Sequence, residues 1–287
     1  MSRKIDRLLL VLFLTVGAAC ASYAGWRDLV DNVHAGTSSL NPLVGLGEGA
    51  ARLLFIALSA FIIARGAGRH EEPVPAVRHP RLEVMVIGLY LLWLGLIFTA
   101  QVRRLDFSRL AVGYPWLAQF LRNDVAGPLI ARLGWEGWTA ARLNNLTVNI
   151  VTQLLVPLLI FLAWGYGARP LGFRLRGWWL ALPLAIPTLL LQLAGGGLAV
   201  NPARFPAAFL FNLGISGLPE EFWARSLLQT RLERILGGAL RGAIVAAVIF
   251  GLMHAPAHVR NYGSDWPRVL AACLGRQALI GFAFGYL

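Results

Sequence analysis

The sequence predicts an all-α, polytopic membrane protein of about eight transmembrane helices. Three observations carry this. Only 14% of the 287 residues are charged and 57% are hydrophobic, with mean hydropathy +0.63, whereas soluble domains carry about 25% charged residues. The apolar residues gather in runs that suit a bilayer core of about 30 Å, which takes roughly 20 residues per helix. The basic residues, 26 against 14 acidic and all arginine except Lys4, stand mainly between those runs.

The first run, Leu8–Ala24, follows Arg3, Lys4 and Arg7 and ends in the small residues "VGAACASYA". Those features also suit a cleavable leader, but an uncleaved helix gives the parity that the later runs need. The next runs are Gly47–Ala64, Val84–Val102 and Leu146–Trp164. Between the third and fourth, the stretch from Arg103 to Asn145 sets Trp116, Trp135 and Trp138 among spaced charges, the pattern of an interfacial segment. "GARPLGFRLRGWW" is a basic connector whose two tryptophans mark entry to the fifth run, Trp178–Val200. The sixth, Phe205–Leu218, continues past two glutamates; Ala239–Pro256 and Val269–Leu287 complete the set.

With the N-terminus in the cytoplasm, the inner connections hold Arg65, Arg69, Arg78 and Arg81, then Arg169, Arg174 and Arg176, then Arg231, Arg234 and Arg241. Such placement assigns the formal charge of +12 to orientation and to anionic lipid headgroups, not to nucleic acid. Cys20 and Cys273 lie far apart in apolar runs and read as small core residues. Glu48 and Arg52, spaced i, i+4, read as a pair neutralised on entry to the membrane. His70 and His79 are nine apart with prolines between them, so a polar loop is favoured over a metal pair. Asn212 is a lesser candidate for the face that carries the glutamates.

The chemistry gathers in "GLPEEFWARS". Ionisable groups in a membrane segment are costly and usually face a cavity or a partner. Glu221 and Arg225 are spaced i, i+4, so a helix brings them together; Glu220 is turned about 100° away. Gly237 and Gly238 make a natural turn before the next helix. Glu221 lies about 16.5 residues before that turn and His254, in "VIFGLMHAP", about 16.5 after it. In an antiparallel pair both reach the same depth, roughly 25 Å from the turn. A glutamate and a histidine facing one cavity can activate water and stabilise a tetrahedral species. The same residues also suit a buried ion pair with a spare carboxylate, a hydrogen-bonded core histidine, or a proton relay.

"EEFWAR" resembles the EExxxR motif of the CPBP family, the CAAX prenyl endopeptidases and bacteriocin-processing membrane proteins, and "FGLMH" resembles its FxxxH motif. The resemblance covers roughly residues 174–287, within a protease-like core over 171–287 that follows a helical and interfacial part over 1–170. It implies an intramembrane endopeptidase with its active-site cavity inside the bilayer, acting on a membrane-associated or prenylated substrate. Glu220 would activate the attacking water, Glu221 and Arg225 would hold the helix and its charge balance, and His254 would assist. No cofactor is expected; zinc is the alternative, although the chain has no HExxH motif. The family's last motif, an HxxxN-type helix, has no counterpart: His258 is the sole histidine after His254, and Asn261 follows it by three positions. Pro256 is expected to end the helix between the two histidines. The expectation is either a chain that continues past Leu287 or a member without that helix. Two other readings stand beside the protease: a non-catalytic immunity or scaffolding membrane protein, and a proton-coupled transporter, which inverted repeats would favour.

Overall fold

In a bilayer every backbone polar group must be satisfied within the chain, so long apolar runs cross as helices. A computed structural model describes residues 2–34, 77–103, 114–133, 137–167, 171, 214 and 217–286, and no strand occurs among them. Helix α1 is Ser2–His34 and α2 is Pro80–Arg103. Helices α3 (114–133), α4 (137–163) and α5 (218–236) each contain a wider, π-type stretch, at Leu121–Ala126, Ile150–Leu155 and Phe222–Gln229. Helix α6 is Ala239–Met253 and α7 is Ala255–Tyr262; α8 covers 266–286 with a π-type stretch at Cys273–Ala278.

The protein is thus an all-α, polytopic membrane protein. Among the described residues three stretches, Lys4–Asp28, Pro80–Ile97 and Leu143–Ala163, are long and apolar enough to cross a membrane. Helices α6 and α7, bent by 41° at their junction, make a fourth if taken as one span. These are fewer than the eight expected. The runs at 47–64 and 178–200 and nearly all of 205–218 lie outside the described residues, as do Glu48, Arg52, His70 and Asn212. The last run is interrupted by the π-type stretch of α8, which leaves shorter helical pieces.

The chain divides into two compact units. Among the described residues, the first holds α1, the start of α2, the second half of α5, and α6 to α8. Helix α6 is its centre. Gly242, Ala243, Ala246, Ala247, Phe250 and Gly251 are all buried, a small-residue face that lets backbones approach closely. A Cβ on Gly242 would strike Glu233 of α5, and one on Gly251 would strike Cys273 and Ala278 of α8. The α5–α6 turn is the expected one: Gly237 ends α5 in the left-handed region, φ +68, which costs glycine least.

The small-residue run that resembles a cleavage site is a packing surface. A Cβ on Gly17 would strike the Leu279 side chain, and one on Gly275 would strike the backbone of Cys20 and Ala21. Phe13 lies 5.1 Å from Phe282, ring to ring, beside Ala243 and Ala247. Ion pairs fasten both ends of α1: Arg241 holds Asp6 at 2.8 Å, and Arg27 holds Asp265 at 3.1 Å. The face carrying Leu8, Val11, Leu12 and Val16 is exposed, as lipid contact requires.

The second unit holds the rest of α2, α3, α4 and the first half of α5. Helix α3 folds against α4 through Leu121 on Val148 and Ala126 on Leu143. Trp116 and Phe120 stack at 5.8 Å on its exposed side, beside Arg122 and Asp124, an interfacial pattern.

Candidate active site

The glutamates sit at the start of α5, in Leu218–Glu221, with Pro219 buried in that first turn. This turn packs on the Ile150–Leu155 stretch of α4, and a Cβ on Gly214 just upstream would strike Leu146. After Glu221 the helix widens; Phe222, Trp223, Ala224, Leu227 and Leu228 are buried, so nearly all of its circumference is covered. Arg225 Nε lies 3.3 Å from Glu221 Oε2, the contact expected from their spacing. Only the guanidinium is largely out of water, 11% exposed against 44% for the Glu221 side chain, and the carboxylate beside it makes that burial tolerable. Glu220, half-buried, adds its charge to the same guanidinium.

Two polar groups on this unit carry no sequence signal. Tyr90 of α2 donates its hydroxyl proton to the Thr152 carbonyl, and the buried Thr152 hydroxyl donates to Val148 O at 2.8 Å. Both hydrogen bonds belong to the part of α4 that supports the glutamate turn. A helical period marks these residues as inward-facing without pairing them, because they are 62 positions apart.

His254 belongs to the first unit, at the junction of α6 and α7. Its Nδ1 lies 2.9 Å from the Phe250 carbonyl and its ring 4.8 Å from the Phe250 ring. A carbonyl only accepts, so Nδ1 donates and, in the neutral ring, Nε2 keeps its lone pair for another partner. Pro256 does not part the two histidines as expected. The helix breaks at His254 and resumes at Ala255 with proline in its first turn, where no N–H is needed. The His258 N–H donates to the His254 carbonyl at 3.1 Å across the break, keeping the rings one turn apart.

Arg231 corrects another expectation. Its sequence context makes it an anchor on an inner connection, yet its side chain is 0% exposed. Its Nε donates to Glu83 Oε2 at 2.8 Å, and Glu83 Oε1 accepts from the His79 N–H at 2.9 Å. Burial of both charges together explains the difference: the carboxylate supplied by α2 makes the interior position tolerable. Among the described residues no group of three or more His, Cys, Asp or Glu side chains stands close enough to hold a metal, so they supply no three-ligand zinc set.

No curated protein and no solved structure matches the chain. Residues 202–287 match the family model described as type II CAAX prenyl endopeptidase Rce1-like. The matched segment contains Glu220, Glu221, Arg225 and His254 together, and it supports the CPBP family for this chain.

Proposed function

We propose that the protein is an intramembrane endopeptidase that hydrolyses a peptide bond of a membrane-associated or prenylated substrate. The observation that carries this reading is the Glu221–Arg225 pair at 3.3 Å, inside the segment that matches the CAAX endopeptidase family. In this reading Glu220 is the base that takes a proton from water as the water oxygen attacks the scissile carbonyl. His254, whose Nδ1–H donates to the Phe250 carbonyl, assists through Nε2 by protonating the departing amine, and the proton taken up by Glu220 restores it. The products are a carboxylate and an amine, with no covalent enzyme intermediate. The chain lies in a bacterial inner membrane with its N-terminus in the cytoplasm, and lipids cover its exposed apolar faces.

The test is cleavage of a farnesylated reporter peptide in proteoliposomes, read by product mass. Glu220→Gln is expected to lower kcat by about 10²–10⁴-fold, the range for loss of a general base. Glu220→Gln at wild-type rate would remove the mechanism. A wild-type protein that cleaves nothing, yet retains a peptide partner that Glu220→Gln also retains, would favour the non-catalytic immunity or scaffolding reading.

A further inference from the structure

Hydrolysis adds one water across the C–N bond in every turnover, the hydroxyl to the carbonyl carbon and a proton to the amine. A site within apolar helices must therefore be resupplied with water. The first unit contains a file of polar groups suited to that task. Its outer end is the end of α1, whose membrane-crossing stretch finishes at Asp28. There Arg268 Nη2 donates to Asp28 Oδ1 at 2.5 Å and Nη1 donates to Asp31, whose side chain is 52% exposed. Arg276 donates through one nitrogen to Asp28 and through Nη1 to the Tyr262 hydroxyl at 2.8 Å. Two arginines and two aspartates leave this cluster near neutral, so it can sit at the membrane boundary without a counterion.

From Tyr262 the file runs inward along one face of α7. The His258 ring lies parallel to the Tyr262 ring at 5.9 Å, and His254 follows one turn further in. His258 is 8% exposed, and neither ring nitrogen has a hydrogen-bond partner among the described protein groups. A buried imidazole left so is costly, and groups of this kind are ordinarily satisfied by water. Its stacking partner Tyr262 offers a ring face, and its helix neighbours Ala255 and Val259 are apolar.

We propose that this file is the path by which water enters the intramembrane site, and that His258 holds the water one turn from His254. The inference rests on the hydrolase reading above. His258 acts as a positioning residue, because it supplies water and does not touch the scissile bond.

Hydroxyl-radical footprinting of the full chain in lipid nanodiscs tests the path without recourse to activity. His258 and Tyr262 are expected to be oxidised at least about 10-fold faster than the buried Phe282, since the radical forms from neighbouring water. Equal protection of all three would overturn the path whatever the enzyme does. In the proteoliposome assay His258→Phe is expected to lower kcat about 10-fold with KM unchanged, the worth of one buried hydrogen bond. His258→Gln, which keeps donor and acceptor, is expected to restore most of it. If Phe and Gln variants fall alike, or only KM moves, His258 does not hold the water. If His258 is labelled but the wild type cleaves nothing, the hydrolase reading fails and takes the purpose of the path with it.

Discussion

At the scale of the residue, one buried ion pair shows what the apolar interior can carry. Arg231 and Glu83, exposed by 0% and 1%, have no water to fall back on. Arg231→Ala is expected to cost about 3–5 kcal/mol, because it strands a buried carboxylate. The double variant Arg231→Met with Glu83→Leu should recover most of that loss, read by thermal unfolding in detergent. A loss below about 1 kcal/mol would mean a solvated pair. The Glu221–Arg225 contact was legible in the sequence because both partners share one helix, where spacing fixes adjacency. The Arg231–Glu83 contact was not, since 148 positions separate its partners and no local period relates them. In the sequence His258 stands out as the sole histidine after His254, with Pro256 between them; its proximity to Tyr262 depends on α7 continuing after the bend.

At the scale of the element, glycine marks where helices meet. Gly275 faces the α1 backbone, which cannot yield, so Gly275→Val is expected to destabilise by at least about 1–3 kcal/mol, the usual range for overpacking. Gly17 faces the end of the Leu279 side chain, which can turn, and Gly17→Val should cost less. Gly25 has no atom within 4 Å of an added Cβ, and Gly25→Ala should be neutral or stabilising by up to about 1 kcal/mol. Unfolding midpoints of the three variants check the order; a Gly25→Ala loss as large as that of Gly275→Val would contradict the packing of α1 on α8. The turn at Gly237 was legible because glycine alone tolerates its φ at little cost. The packing of "VGAACASYA" on α8 was not, because small residues serve both leader cleavage and close helix contact.

At the scale of the whole molecule, composition made the class of fold plain, since so little charge over so many apolar residues leaves few alternatives. The span count was less legible: apolar length measures a run, not the π-type break within α8 or the bend at His254. The positive-inside pattern makes a definite demand. Green fluorescent protein fused before Met1 and alkaline phosphatase fused after Arg78 should report the same, cytoplasmic side: fluorescence from the first and no phosphatase activity from the second. Phosphatase activity at Arg78 would remove the crossing assigned to 47–64.

The proposed mechanism requires that Glu220 and His254 act on one reacting bond. A double-mutant cycle in proteoliposomes measures that directly, with kcat/KM of wild type, Glu220→Gln, His254→Ala and the double variant on the farnesylated reporter. Residues that act as a unit are not additive. The double variant is expected to be no slower than the slower single variant. Losses that multiply would show two independent sites and contradict the shared one.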